Sequence, residues 1–297
     1  MKFNRNHSFK YCVAEKVAPG LRRITAQNPG PFTFHGTGTY IVGQQELSII
    51  DPGPDLRTHL NALSESVNNH PVQNILLTHR HEDHAGLASA CASQFNATIW
   101  AGDAPKALPL HNLGDSPTVR LKQKYRKLND NSNIEIDNYH LIAMHTPGHT
   151  SDHFCFRDDT HGRIFCGDHI MGWSTTVVLP PDGNMGQYIR SLQSLRAFDD
   201  YTFWPTHGSP ITNPREWILS LLEHRAMREE QLMRTLGEEP ASATNLIEQL
   251  YPELPLELWP AAGQSILAGA IFLVEKNMAE CADITKADKN TVFFRLY

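Results

Sequence analysis

The chain has 297 residues, 40% apolar and 20% charged, with 32 acidic against 26 basic side chains and a formal charge of −6 at pH 7. That length exceeds a minimal domain and suits one large domain, or one with a small appendage, and the apolar share suffices for a buried core. The negative balance excludes a general attraction to nucleic acid or to an anionic membrane, while leaving room for a local basic groove.

The stretch Met1 to Tyr11 is polar and lacks the apolar run of a signal peptide, and no stretch approaches the ~20 apolar residues of a membrane span. No membrane partner is expected. Short β-like runs follow at Tyr11 to Val17, Leu21 to Ala26, Gly38 to Val42 and Leu47 to Ile50, with Asn28-Pro29-Gly30-Pro31 a turn by composition. Asp51-Pro52-Gly53 ends the fourth run, and its carboxylate is expected to brace a neighbouring loop as a hydrogen-bond acceptor. Leu56, Leu60, Leu63 and Val67 recur at helical spacing, which predicts a helix over Asp55 to Val67.

Val72 to Leu77 then reads as a strand feeding Thr78-His79-Arg80-His81-Glu82-Asp83-His84-Ala85-Gly86. Imidazoles and a carboxylate this dense suit a hard-to-borderline metal ion. His79 and His81 point the same way along an extended backbone of period two, so both reach one ion, while Asp83 and His84 come round on the following turn and suggest a second. Leu87 to Phe95 is alanine-rich and reads as the next helix, and Ala97 to Trp100 as another strand, so this half is β-α-β-α-β in outline.

Residues 101–133 are punctuated by Pro105, Pro109, Gly114 and Pro117 and hold the dense basic run Arg120-Leu121-Lys122-Gln123-Lys124-Tyr125-Arg126-Lys127. A solvated helix face or strand edge is its plainer reading, a phosphate-attracting lip the functional one. Strands resume at Ile134 to Ile136, His140 to Met144, His153 to Phe156 and Arg163 to Phe165. Thr146-Pro147-Gly148-His149, Cys166-Gly167-Asp168 and Pro205-Thr206-His207-Gly208 each set one ligand-type residue at the end of an apolar run. His145, His153 and His169 flank these residues and read as packing or hydrogen-bonding residues rather than ligands, with His153 the best candidate among them to touch substrate.

Gly186 to Phe198 has helical spacing, Tyr201 to Trp204 is the strand before His207, and Asn213-Pro214-Arg215-Glu216 opens a helix running to Leu236 and stopping at Gly237. Beyond it, Ser242 to Tyr251 and Gly263 to Lys276 read as helices, and Met278 to Ile284 with Val292 to Leu296 as a hairpin. Cys12, Cys91, Cys155, Cys166 and Cys281 are scattered, odd in number and without a Cys-x-x-Cys pair, which points to free thiols in a reducing compartment and a cytoplasmic protein. Cys166 is expected to pack under the metal-bearing loop.

The order of these motifs resembles the metallo-β-lactamase superfamily across nearly the whole chain. The resemblance implies an αββα sandwich, two mixed sheets face to face with helices outside, and a first metal held by His79, His81 and His149. A second would be held by Asp83, His84 and His207, with Asp168 bridging. Asn28 through Val42 looks like the opening of the β-lactamase-like protein 2 group, whose animal member is a mitochondrial single-strand endoribonuclease. Gly38, Arg80 and Leu87 depart from the Asn, Trp and Gly common there.

What this resemblance implies is a catalytic domain over residues 1–236, a winged-helix module over 237–297, and a hydrolase with two zinc ions, iron or manganese fitting the same ligands. Two close ions share a water and lower its pKa towards neutrality, and Asp83 would orient it or receive its proton. The expected bond is a phosphodiester of single-stranded RNA. Alternatives are a small-molecule thioester or lactone, as in hydroxyacylglutathione hydrolases, and a non-catalytic metal-binding or interaction protein. A homodimer stays open.

Overall fold

The computed structural model describes residues 3, 5, 8–103, 124–137, 139–236 and 240–296. A first sheet takes its strands in chain order: β1 (Glu15–Ala18), β2 (Leu21–Thr25), β3 (Gly38–Val42), β4 (Leu47–Ile50), β5 (Val72–Leu76), β6 (Thr98–Ala101) and β7 (Tyr125–Lys127). From β1 to β4 neighbours are antiparallel, β1–β2 and β3–β4 through short turns and β2–β3 through the longer segment 26–37; from β4 to β7 neighbours are parallel. Parallel neighbours need a crossover, and α1 (Arg57–Val67), the single turn α2 (Glu82–Ala85) and α3 (Ala88–Phe95) supply the first ones. Asn68 and Asn96 end α1 and α3 in the left-handed conformation, which asparagine tolerates.

The second sheet holds β8 (Asn133–Ile136), β9 (Tyr139–His145), β10 (Phe154–Asp158), β11 (Arg163–Gly167) and β12 (Thr202–Pro205) in the order β12-β11-β10-β9-β8. β12 joins β11 in parallel after a crossover through α4 (Met185–Leu195), and α5 (Pro214–Thr235) follows it. Asn184 caps α4 by accepting from the Gln187 amide, and Pro214 opens α5.

Period-two alternation builds the layers. In β3, β4 and β5, Tyr40, Val42, Ile50 and Leu76 turn between the sheets to meet Leu141, Ala143, Phe154, Phe156, Phe165 and Trp204. Their neighbours Ile41, Ile49 and Ile75 turn outward onto Leu60, Leu63 and Val67 of α1 and Ala88, Cys91 and Ala92 of α3. On the far side, Cys155, Ile164 and Phe203 pack against Tyr188, Leu192 and Leu195 of α4 and Ile218 and Leu221 of α5. The result is the αββα sandwich the sequence led us to expect.

The C-terminal part joins α6 (Ala243–Leu250) and α7 (Trp259–Glu275) to a small sheet of β13 (Ala241–Ser242), β14 (Ala279–Glu280) and β15 (Val292–Arg295), ordered β13-β15-β14. The expected two-strand hairpin is thus three-stranded, and its first strand stops at Glu280. Asp283 accepts from the Thr285 amide and turns Ile284–Lys286 into a 3-10 helix, which takes the chain out of the sheet. α7 starts at Trp259 rather than Gly263, with Pro260 in its first turn, where a missing amide costs nothing. Leu232 and Leu236 at the end of α5 enter the core of this part, with Leu246, Ile266 and Leu273. The expected boundary residue Gly237 lies outside the described residues.

Two expectations need correction. Leu256–Glu275 is long and apolar enough by composition to cross a membrane, yet Ile266, Leu267, Ala268, Ala270 and Leu273 are buried in the fold, as in a core helix. The N-terminal run yields a strand only over Glu15–Ala18, with Tyr11 making a lone bridge to Thr25. Of the basic run, Arg120 to Gln123 fall outside the described residues. Tyr125, Arg126 and Lys127 form the exposed edge strand β7, where charge discourages further strand pairing.

Candidate metal centre

Four strand ends and one turn meet at one edge of the sandwich. β4 ends at Asp51, β5 leads to Thr78 and His79, β11 ends at Asp168 and β12 at His207, while the turn between β9 and β10 brings His149. His81 is the extended residue before α2, whose single turn carries Asp83 and His84.

All seven residues expected as ligands come together. His79, His81 and His149 form one group whose nitrogens lie within 4.8 Å of one another, and Asp83, His84 and His207 form another. Asp168 stands between them: Oδ1 is 3.4 Å from both His84 Nε2 and His207 Nε2, and Oδ2 is 3.7 Å from His149 Nε2.

Hydrogen bonds around His84, His207, His149 and His79 set which nitrogen of each faces inward. His84 Nδ1 donates to Asp51 Oδ2 at 2.8 Å, His207 Nδ1 to the Gly36 carbonyl at 3.2 Å, and His149 Nδ1 to the Val177 carbonyl at 2.6 Å. Thr78 Oγ1 gives its proton to Asp51 Oδ2, so it accepts from His79 Nδ1 at 3.1 Å. With that nitrogen committed, the other nitrogen of each ring faces inward, where an unprotonated ring offers a lone pair. His79 Nε2 and His149 Nε2 both converge on His81 Nδ1, at 2.8 and 3.1 Å, more nitrogens than a single ring proton can satisfy. In the second group the buried atoms His84 Nε2, His207 Nε2 and Asp168 Oδ1 have no hydrogen-bond partner. Such convergence of lone pairs is costly unless a cation lies among them. The donor set, imidazole with carboxylate, fits a divalent metal.

The electrostatics agree. Burial, with the neighbouring rings of His84, His149 and His81, holds His79 well below its ordinary pKa, and burial with His149 and His84 brings His81 to about 4. These two rings are neutral at pH 7 and able to offer lone pairs to a metal ion. Burial also opposes charge on His84, but Asp168, Asp83 and Asp51 around it outweigh burial and raise it well above its ordinary value. Three carboxylates around one ring favour positive charge there, on the ring itself or on a metal ion in the proton's place. Asp83, against burial, is drawn down to about 2 by His84 and by His207, whose Nε2 lies 3.2 Å from Oδ2, so it is ionised.

The loops are held by buried polar side chains. Asp51 accepts from the Thr78 amide, Thr78 Oγ1 and Thr206 Oγ1, each at 2.8 Å, and does brace the loop as expected. Arg23, distant in sequence, donates to the Gly208 and Thr206 carbonyls at 2.6 and 3.1 Å and steadies the His207 turn. Cys166 packs beneath the loop with its thiol donating to the Ile170 carbonyl. His153 is fully buried, its Nδ1 paired with Thr146 Oγ1 at 2.9 Å, and it lies outside the cleft lining, which fits the packing role rather than a place against substrate. His145 is exposed and His169 buried beside Tyr188.

Above the centre opens a cavity of ≈ 410 Å³. His81, Asp83, His149 and Asp168 form its floor, Phe32, Met171, Val177 and Leu179 its apolar wall, and Glu82 and Asp182 its acidic rim. No Lys or Arg is among the described lining residues. Arg80, next to it in sequence, pairs with Asp103, Asp152 and Asp182 at 3.6 to 3.7 Å.

The metallo-β-lactamase superfamily model matches residues 33–207, from the turn before β3 to the last histidine of the centre. A β-lactamase-like protein 2 homolog of Caenorhabditis elegans is 30% identical over 247 residues, covering 81% of this chain and 79% of the relative. An atrochrysone carboxyl ACP thioesterase of Aspergillus terreus is 28% identical over 243 residues, covering 80% and 69%. Among solved structures, a β-lactamase domain protein from Burkholderia ambifaria superposes with a TM-score of 0.77 at 20% identity, over 95% of this chain and 93% of that one. With the motif order, the sandwich and the converging lone pairs on the page, these likenesses make the chain a member of the metallo-β-lactamase superfamily.

Proposed function

We propose that this metallo-β-lactamase-superfamily hydrolase cleaves the ester-type bond of a small acyl substrate, a thioester or lactone, at a two-metal centre. His79, His81 and His149 would hold one ion, Asp83, His84 and His207 the other, with Asp168 shared between them. Zinc suits this ligand set, and iron or manganese fits it as well. Bound metal would supply Lewis acidity and an acidified water at the floor of the cavity.

The chain's own residues do the rest. Asp83, ionised and partly exposed at the cavity floor, is placed to orient an attacking water or take up its proton. The wall of Phe32, Met171, Val177 and Leu179 would seat an apolar acyl group and exclude water. That apolar wall with its acidic rim is the observation carrying the acyl reading: a polyanion gains affinity from cations beside it, and the described lining offers none. The thioesterase name of a relative 28% identical supports the same reading.

Single-stranded RNA remains the second reading, favoured by the likeness to the β-lactamase-like protein 2 homolog. The C-terminal part, two helices and a three-stranded sheet, is read as a winged-helix-like module closing the fold beside the catalytic domain. The test is a screen of the purified, metal-loaded protein against acetyl and hexanoyl thioesters of N-acetylcysteamine, a lactone series and a single-stranded oligoribonucleotide. Chelator-sensitive thioester or lactone turnover, faster for hexanoyl than for acetyl, is expected. Faster cleavage of the RNA than of any acyl substrate would reject the acyl reading.

A further inference from the structure

On the other side of the segment 175–177 from the metal centre lies a second cavity, of ≈ 280 Å³, between α4, α5 and α7 and closed by Leu250 and Tyr251. One wall is apolar, built by Met185, Ile189, Leu232, Ile266 and Phe272. The other carries His224, Arg225 and Arg228, bases from successive turns of α5, with the Ser265 hydroxyl in the same lining.

The cations of this wall are not neutralised. The Arg225 guanidinium lies 5.0 Å from the Tyr188 ring centroid and that of Arg228 4.3 Å from Tyr251, contacts that hold a cation without cancelling its charge. Arg225 donates to the Thr176 carbonyl and Arg228 to Gln231, both uncharged acceptors. Glu229, the one carboxylate in the lining, is paired with Lys276. Arg225 Nε and His224 Nδ1 are buried without a hydrogen-bond partner. Burial, Arg225 and Arg228 lower the pKa of His224, which leaves a neutral ring able to donate or accept. Two guanidiniums in a half-enclosed apolar cavity, within a chain of net charge −6, are a local exception to the protein's electrostatics and lack a counter-ion.

We propose that this cavity binds a small amphipathic organic anion, with its carboxylate or phosphate group on Arg225, Arg228 and Ser265 and a short apolar body against Ile189, Leu232 and Phe272. Arginine favours such oxyanions because its planar fork donates two parallel hydrogen bonds. The site is linked to the metal centre. Thr176 Oγ1 donates to the carbonyls of Asp168 and His169 at 2.7 and 3.0 Å, and the next carbonyl, Val177, accepts from His149 Nδ1. An anion engaging Arg225 competes with the Thr176 carbonyl and so acts on the segment that positions Asp168 and His149. Binding at the two places is therefore coupled, and the coupling is reciprocal.

The experiment is calorimetric titration of the full-length protein with hexanoate, hexyl phosphate and uncharged hexanamide, before and after chelator treatment. Both anions should bind, before and after chelation with a shifted affinity, and hexanamide should bind at least about tenfold more weakly, as loss of a charge-assisted hydrogen bond implies. A preference between the two anions identifies the headgroup. Arg228→Gln should weaken the anions about tenfold or more, and Ser265→Leu, which fills the cavity, should abolish binding, with thermal melts reporting that each variant folds. Absence of binding to the wild-type protein, or binding lost on chelation yet unchanged in Arg228→Gln and Ser265→Leu, would overturn the proposal; the second result would place the anion in the catalytic cleft.

Discussion

Asp51 and His84, both fully buried, are joined by a 2.8 Å hydrogen bond from Nδ1 to Oδ2. The same carboxylate holds Thr78 and Thr206, so one side chain ties the ends of β4, β5 and β12 and aims the inward nitrogen of His84. Asp51→Ala leaves several buried donors unpaired at once, for an expected loss of about 3 kcal/mol or more. The variant should also release metal as His84 loses its orientation. Urea denaturation and elemental analysis check both, and a wild-type midpoint with full metal content would contradict this account of Asp51.

Asp168 and His153 are neighbours in space with different expected roles. The Asp168 carboxylate faces both ligand groups, whereas His153 lies under them, paired with Thr146. Asp168→Ala should lower metal content and reduce activity by about 100-fold or more. His153→Ala should keep its metal and lose about 2 kcal/mol of stability, since a fully buried ring leaves a cavity. Metal analysis separates the two, and loss of metal from the His153 variant to the level of Asp168→Ala would contradict the division.

The contrast between these residues shows what the sequence discloses. Ligand-type residues at the ends of apolar, period-two runs were readable because strand alternation and the turn residues after it leave few directions for a side chain. His153 misleads because it follows His149 closely in sequence yet shares the face of Cys155, which turns towards α4 and not into the cleft. Arg23 gives no local signal: its partners, the carbonyls of Thr206 and Gly208, arrive by a long-range crossover. Gly38 becomes intelligible only with Arg23 in place, since a Cβ there would sit 2.1 Å from Arg23 Nε, in the space the guanidinium fills. Phe32, Val177 and Leu179 line the cleft from irregular segments without periodicity, so no pattern announces them.

His59 provides a pH dependence away from the metal centre. Thr39 Oγ1 donates to the Asp51 carbonyl and accepts from His59 Nε2 at 2.9 Å, and burial lowers the ring's pKa from 6.5 to about 4. Between those pH values the unfolded chain takes up a proton that the folded chain refuses. The contribution is therefore full above pH 6.5 and is lost as pH falls towards 4, on the order of 3 kcal/mol in all. His59→Gln removes this titration. The difference in urea stability between pH 7 and pH 4.5 should be smaller in the variant than in the parent; an equal or larger difference would show that His59 does not carry it.

The C-terminal part should not bind nucleic acid, even though a winged-helix-like arrangement invites that expectation. From Glu238 to Tyr297 the sequence has nine acidic and four basic residues, a net of −5. Such a charge repels a phosphate backbone, whose binding derives from cations that displace counter-ions. Geometry adds a second obstacle. α7, the helix that would have to enter a groove, buries Ile266, Leu267, Ala270 and Leu273 and packs against α4, α5 and α6. Its far end is occupied as well, with Glu275 accepting from Asn184 at the start of α4 and Lys276 paired with Glu229 of α5. Charge reversal of the exposed cations Lys286 and Lys289 to Glu in the full-length protein should leave any oligonucleotide affinity unchanged, measured by fluorescence anisotropy across a salt series. Neutralising Lys124, just before the edge strand β7, with Arg126 and Lys127 on it should lower whatever salt-dependent affinity exists, because those side chains are exposed and clustered. A loss of affinity confined to the Lys286 and Lys289 variant would move the contact to the C-terminal part and refute this prediction.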